Sequence, residues 1–119
     1  MNHPLDRAVW NALTTRLSSF ATADSDARAV RIDPEVGVFL AAADGSPASL
    51  ARLSDLARRH PGAGLVEATG SPMVDVLPEG VAVARRIALV QMMATRLTPG
   101  GRDLPFETLT EADAPAMLA

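Results

Sequence analysis

The segment from Val81 to Met93, Val-Ala-Val-Ala-Arg-Arg-Ile-Ala-Leu-Val-Gln-Met-Met, is the longest apolar run in the chain, broken only by Arg85, Arg86 and Gln91. Val, Ile and Leu at this density suit strands that are covered on both faces. The arginine pair reads as an end or edge, which divides the run into consecutive strands at 81–85 and 87–93. A sheet built on these strands constrains everything else: the other apolar patterns must supply neighbouring strands or helices that cover it. The run itself carries no nucleophile, metal cluster or phosphate loop.

The patterns upstream meet that demand. Pro4 suits a first helical turn, and Leu5, Val9, Trp10, Leu13, Leu17 and Phe20 recur at spacings of three and four. Asp6 in the first turn and Arg16 in the last match the helix dipole, so a helix is predicted over 4–20. The small, polar stretch 21–27 is a loop. Residues 28–33 alternate, with charges assigned to the wet face of an edge strand. Asp33-Pro34-Glu35 turns the chain, and 36–43 reads as a buried strand. Asp44-Gly45-Ser46-Pro47 is the clearest local signal, a turn with Ser46 as N-cap and Pro47 at the first helical position. The helix over 47–60 places Leu50, Leu53, Leu56 and Ala57 on one stripe and ends at Pro61-Gly62. With a strand over 64–68 this makes a βαβ unit, whose two strands must be parallel.

Further on, 69–72 is a loop, 73–77 a short strand and 78–80 a turn; 94–97 extends helically, 98–104 is a linker, and Pro105–Leu109 is a new strand. Thr110 with Asp113 has the form of a capping box that opens a helix. The fold class is α/β (α+β): a mixed sheet of about five strands, covered by two helices, with one βαβ unit. Leu50, Leu53, Leu56, Val83, Leu89 and Val90 are its expected core.

A chain of 119 residues supports one core. That core must be aliphatic, because Trp10, Phe20, Phe39 and Phe106 are the only aromatic residues. Net charge is −3 with no basic stripe, which argues against nucleic acid. All 11 basic residues are Arg. The lack of Lys excludes Schiff-base chemistry, and the lack of Cys excludes thiolate catalysis, Cys-ligated metals and disulfides. No run of ~18 apolar residues spans a membrane, and no apolar h-region opens the chain. A cytoplasmic setting is expected.

The chemical candidates have plain structural readings. His3 sits at the start of the chain and His60 at a helix end, with no acid or hydroxyl pattern marking a triad. Asp24, Asp26, Asp33 and Glu35 lack calcium-loop spacing and read as solvated loop charge. Gly62-Ala63-Gly64 and Pro99-Gly100-Gly101 lack nucleotide-loop patterns. Arg58, Arg59 and His60 read as partners of a helix C-terminus. Arg85 and Arg86 read as a water-facing pair, with an anion or carboxylate across an interface as the alternative. Met92 and Met93 suggest adaptable packing, and Trp10 a core anchor. No catalytic, cofactor-binding or metal-ligating residue is assigned.

Several stretches together carry a family resemblance: Pro4-Leu-Asp-Arg-Ala-Val-Trp-Asn-Ala-Leu13, Ile32-Asp-Pro-Glu-Val-Gly37, Ser46-Pro-Ala-Ser-Leu50, Leu89-Val-Gln-Met92 and Leu109-Thr-Glu-Ala-Asp-Ala-Pro-Ala-Met-Leu118. In this order they resemble the N-terminal region of a bacterial subgroup of GNAT-superfamily N-acetyltransferases. The resemblance covers nearly the whole chain through structural motifs. It implies an N-terminal α/β accessory domain over 1–97, a linker over 98–104, and the beginning of a GNAT-like catalytic domain over 105–119. The family's pyrophosphate loop, Arg/Gln-x-x-Gly-x-Gly/Ala, is absent from residues 1–119. The resemblance therefore implies no cofactor in this chain, acetyl-CoA for a full-length protein, and inactivity of this chain alone. Its implied role is domain packing or acceptor-substrate binding, with the following GNAT domain as partner. The alternative is a free-standing interaction module that forms a homo-oligomer without enzymatic activity.

Overall fold

A computed structural model describes residues 3–71, 73 and 79–119. Pro4–Arg7 forms a 3-10 turn, fastened by a reciprocal cap between His3 and Asp6. Helix α1 follows over Ala8–Leu13, and a second 3-10 turn lies at Ser18–Phe20. The expected helix 4–20 is thus helical in three pieces. The break has a local cause: Thr14 Oγ1 donates to the Trp10 carbonyl at 2.7 Å, and the Thr15 hydroxyl bonds the Asn11 carbonyl. Such back-bonding competes with continuation of the helix.

The sheet has three strands in the order β1(Ala29–Arg31), β2(Phe39–Ala42), β3(Gly64–Leu65). Strands β1 and β2 are antiparallel, with Ala29 opposite Ala42 and Arg31 opposite Leu40. Asp33 shapes the turn between them, its Oδ1 accepting from Glu35 N at 2.9 Å. β2 and β3 are parallel, joined by helix α2 (Pro47–Arg59), which is the βαβ unit read from the sequence. Ser46 caps α2 by accepting from the Ser49 backbone N–H. Asp44 Oδ1 accepts from Ser46 N at 2.9 Å.

The two helices cover opposite faces. Ala29, Leu40 and Ala42 pack with Leu53 and Leu56 of α2 and with Met73. Val30 and Ala41 pack with Leu13 of α1, and Val9, Trp10 and Ile32 close the margin. The alternation of β-strand side chains therefore divides a small core into two layers.

Four expectations are corrected. The sheet has three strands among the described residues rather than about five. Segments 81–85 and 87–93 are irregular and solvent-facing: Val83 is 45%, Leu89 68% and Val90 86% exposed, whereas Leu53 and Leu56 are buried and Leu50 half-buried. An apolar run needs a paired neighbour and cover on both faces to form a buried strand. Here both helices are already committed to β1 and β2. Residues 94–97 form no helix and 105–109 no strand. The strand expected at 73–77 falls mostly outside the described residues.

Beyond Gly80 the first regular structure is a 3-10 turn over Glu111–Asp113, which leads into α3 (Ala114–Met117). Its capping box is the one read from the sequence, with the Thr110 backbone N–H donating to Asp113 Oδ2 at 2.8 Å. This distal part stands away from the sheet. The radius of gyration is 17.8 Å, against roughly 13–14 Å for a compact domain of this length. No helix among the described residues is long and apolar enough to cross a membrane.

Candidate functional site

One polar constellation joins the start of the chain to the far ends of β2 and β3. Arg7 reaches Glu67, sixty positions away, through a two-pronged pair: Nη2 lies 2.8 Å from Oε1 and Nε 3.2 Å from Oε2. The same guanidinium donates to the carbonyls of Ala42 and, at 2.8 Å, of Ala43. The Glu67 side chain is 2% exposed and that of Arg7 26%. Arg7 also lies over the Trp10 ring, 5.8 Å from its centroid. The planar fork suits this geometry, which a lysine would not reproduce. Arg7 occupies both oxygens of Glu67, so the arrangement is a clasp for the strand ends rather than an open acid or base. Sequence reasoning missed it; a pair separated by most of the fold leaves no periodic signal.

A second cluster fastens loop 21–28 to α2. Arg52 Nε donates to Asp26 Oδ2 at 2.7 Å, and the Arg52 guanidinium also bonds the Asp24 carbonyl. Arg59 Nη1 lies 3.3 Å and His60 Nε2 3.6 Å from Asp24 Oδ2. The Thr22 hydroxyl and the Arg59 guanidinium hold the Asp24 carboxyl below the usual carboxylate range. Backbone N–H donation from Arg28, together with Arg52, does the same for Asp26. The Ser46 hydroxyl and N–H bring Asp44 down to about 2.

His60 and Asp24 thus pair, which the sequence reading did not anticipate. His60 Nε2, the nitrogen that faces Asp24, makes no hydrogen bond among the described residues. Arg59 faces a carboxylate, whereas Arg58 turns back to donate to Ser54 Oγ at 3.0 Å. Arg58 and Arg59 lie in the last turn of α2 and His60 at its C-cap, as expected of helix-end partners, and these side-chain contacts are additional.

The remaining candidates are dispersed. Asp33 and Glu35 shape the β1–β2 turn, apart from Asp24 and Asp26, and no group of acids or histidines among the described residues could hold a metal ion. His3 Nδ1 accepts from Leu5 N at 3.1 Å as a helix cap. Gly62 adopts φ +81 after α2, and Gly64 lets the Phe39 ring approach within 3.3 Å of where a Cβ would stand. Gly100 and Gly101 have open space around them. Arg85, Arg86, Met92 and Met93 are exposed. Trp10 is half-buried against the α1 layer, as a core anchor should be.

Arg31 corrects the reading of an edge strand with wet charges, because it is 5% exposed. Loop 21–26 covers the outer side of β1: Thr22 N donates to the Arg31 carbonyl at 2.8 Å and Arg31 N to Ser25 Oγ at 2.9 Å. The Arg31 guanidinium bonds the carbonyls of Ile32 and, at 3.1 Å, of Gly37.

The concavities are shallow. A cleft of ≈ 370 Å³ lies between α2 and Glu79, lined by Leu50, Ser54, Asp55 and Arg58. An apolar groove of ≈ 180 Å³ runs between α1 and Phe39. Neither combines an apolar wall with converging polar groups and a perturbed titratable residue, as catalytic pockets do. Comparison with known family models, curated proteins and solved structures gives no match.

Proposed function

We propose that this chain is the non-catalytic N-terminal domain of a GNAT-family N-acetyltransferase, contributing to packing against an acetyl-CoA-binding domain or to acceptor-substrate binding. The observation that carries the reading is the segment 105–119. It has a formed capping box and short helix, yet Phe106 is 90% and Leu118 87% exposed. Exposed apolar side chains flanking a short formed helix suit burial against another folded unit. The Arg7–Glu67 and Arg52–Asp26 pairs support the same reading, since their charged groups are taken up in clasps.

The coding sequence downstream of Ala119 tests the proposal. A Gly-rich pyrophosphate loop after a strand, within about one domain length, is expected, because phosphates require converging backbone N–H groups. A stop codon at that point contradicts it. Calorimetry of residues 1–119 with acetyl-CoA should show no binding, and micromolar binding would also contradict it.

A further inference from the structure

Among the described residues one sheet edge is open and one strand-like segment unpaired, and the two match in chemistry. The β1 edge is closed by loop 21–26. The opposite edge, β3, has no strand on its outer side among the described residues. Both faces beside that edge are apolar and incompletely covered. Leu50, Ala57 and Leu65 stand half-buried on the α2 side. On the α1 side the Phe39 ring lies across Gly64 and is 40% exposed.

A strand that fits this edge must be apolar on both faces. Residues 87–93 meet the requirement with one exception, Gln91: in an extended chain Ile87, Leu89, Gln91 and Met93 share one face, and Ala88, Val90 and Met92 the other. We propose that segment 87–93 of one copy adds as a strand beside β3 of a second copy, and reciprocally, to form an arm-exchanged dimer. The arm leaves its own domain from an anchored point. Ser54 Oγ donates to the Glu79 carbonyl at 2.8 Å, and a Cβ on Gly80 would meet the Arg58 guanidinium at 3.3 Å. From there the chain runs into solvent, leaving Ile87 61% and Met92 89% exposed.

Strand addition draws affinity from backbone hydrogen bonds and specificity from alternate side chains. Covering the apolar residues of two arms, with the surfaces they meet, removes on the order of 1,000 Å² from water, about the least that a biological interface needs, so the dimer is a weak one. Reciprocal exchange is isologous and closes at two copies. The proposal uses 87–93 and stands independently of the acyltransferase reading, which uses 105–119.

Light scattering with amide hydrogen exchange on the full 119-residue chain tests it. The expected result is twice the chain mass at high concentration, with residues 64–66 and 87–93 gaining protection together. Leu89→Arg with Val90→Glu alters positions already exposed in the single chain, so the fold survives and circular dichroism verifies that. This variant should weaken the dimer about a hundredfold or more and remove protection at 64–66. A chain that stays monomeric at high concentration overturns the proposal. So does a dimer that tolerates the double variant or forms without protection at 64–66.

Discussion

Residues 29–65 and residues 81–119 both carry runs of Val, Leu, Ile and Ala, yet the first set forms the core and the second lies in water. The difference is closure. In the first region Asp33 and Asp44 turn the chain, Ser46 starts a helix, and each apolar run meets its neighbour within a few residues. Loop entropy is small there, so contacts form cheaply. The second region has Pro78-Glu79-Gly80 and Pro99-Gly100-Gly101 in its sequence, and among the described residues it pairs with no strand of its own copy. Apolar content supplies the drive to bury, and local turn chemistry decides which run is buried first.

The largest effect that should break the symmetry between the regions is Leu56→Ala. Leu56 is fully buried between sheet and helix, and its truncation should cost about 3–5 kcal/mol in urea unfolding. Arg7→Ala comes next. It strands the Glu67 carboxylate in the interior and should cost about 3 kcal/mol, whereas Glu67→Gln should cost less because no charge is then buried alone. Thermal melts of both variants check the order. Ser46→Ala removes the α2 cap and should cost about 1 kcal/mol.

The clasp of loop 21–28 predicts a smaller dependence on pH. Asp24 and Asp26 have folded-state pKa values below their ordinary 3.8. Such groups contribute stability that is present above the unfolded pKa and lost as pH falls through the folded one. Stability should therefore decline below about pH 4. Asp26→Asn should flatten that decline, at a cost at neutral pH below about 1 kcal/mol, because the Asp26 side chain is 43% exposed. The smallest effect belongs to the other region: Val90→Ala should change the stability of the single chain by no more than about 0.5 kcal/mol.

What was legible in the sequence follows the same division. Helix α2, its Ser46 cap, the Asp33 turn and the parallel pairing across the βαβ unit all rest on short-range rules, and they stand in the structure. The Thr110 capping box stands for the same reason. The run 81–93 was read by composition alone, which reports a tendency to be buried but not a partner. The helix expected over 4–20 failed because two threonines redirect their hydroxyls to the backbone, a competition that apolar spacing does not register. The Arg7–Glu67 clasp and the burial of Arg31 depend on which loop covers which edge, and that is decided only by the assembled sheet.

Amide hydrogen exchange on the dilute, monomeric chain tests the division most directly. Amides within 39–42 and 47–59 should exchange slowly, by global unfolding, while those of 87–93 exchange near the rate of an unstructured peptide. Slow exchange across 87–93 in the monomer, comparable to that of Leu40 and Ala41, would place that run in the sheet and contradict the account.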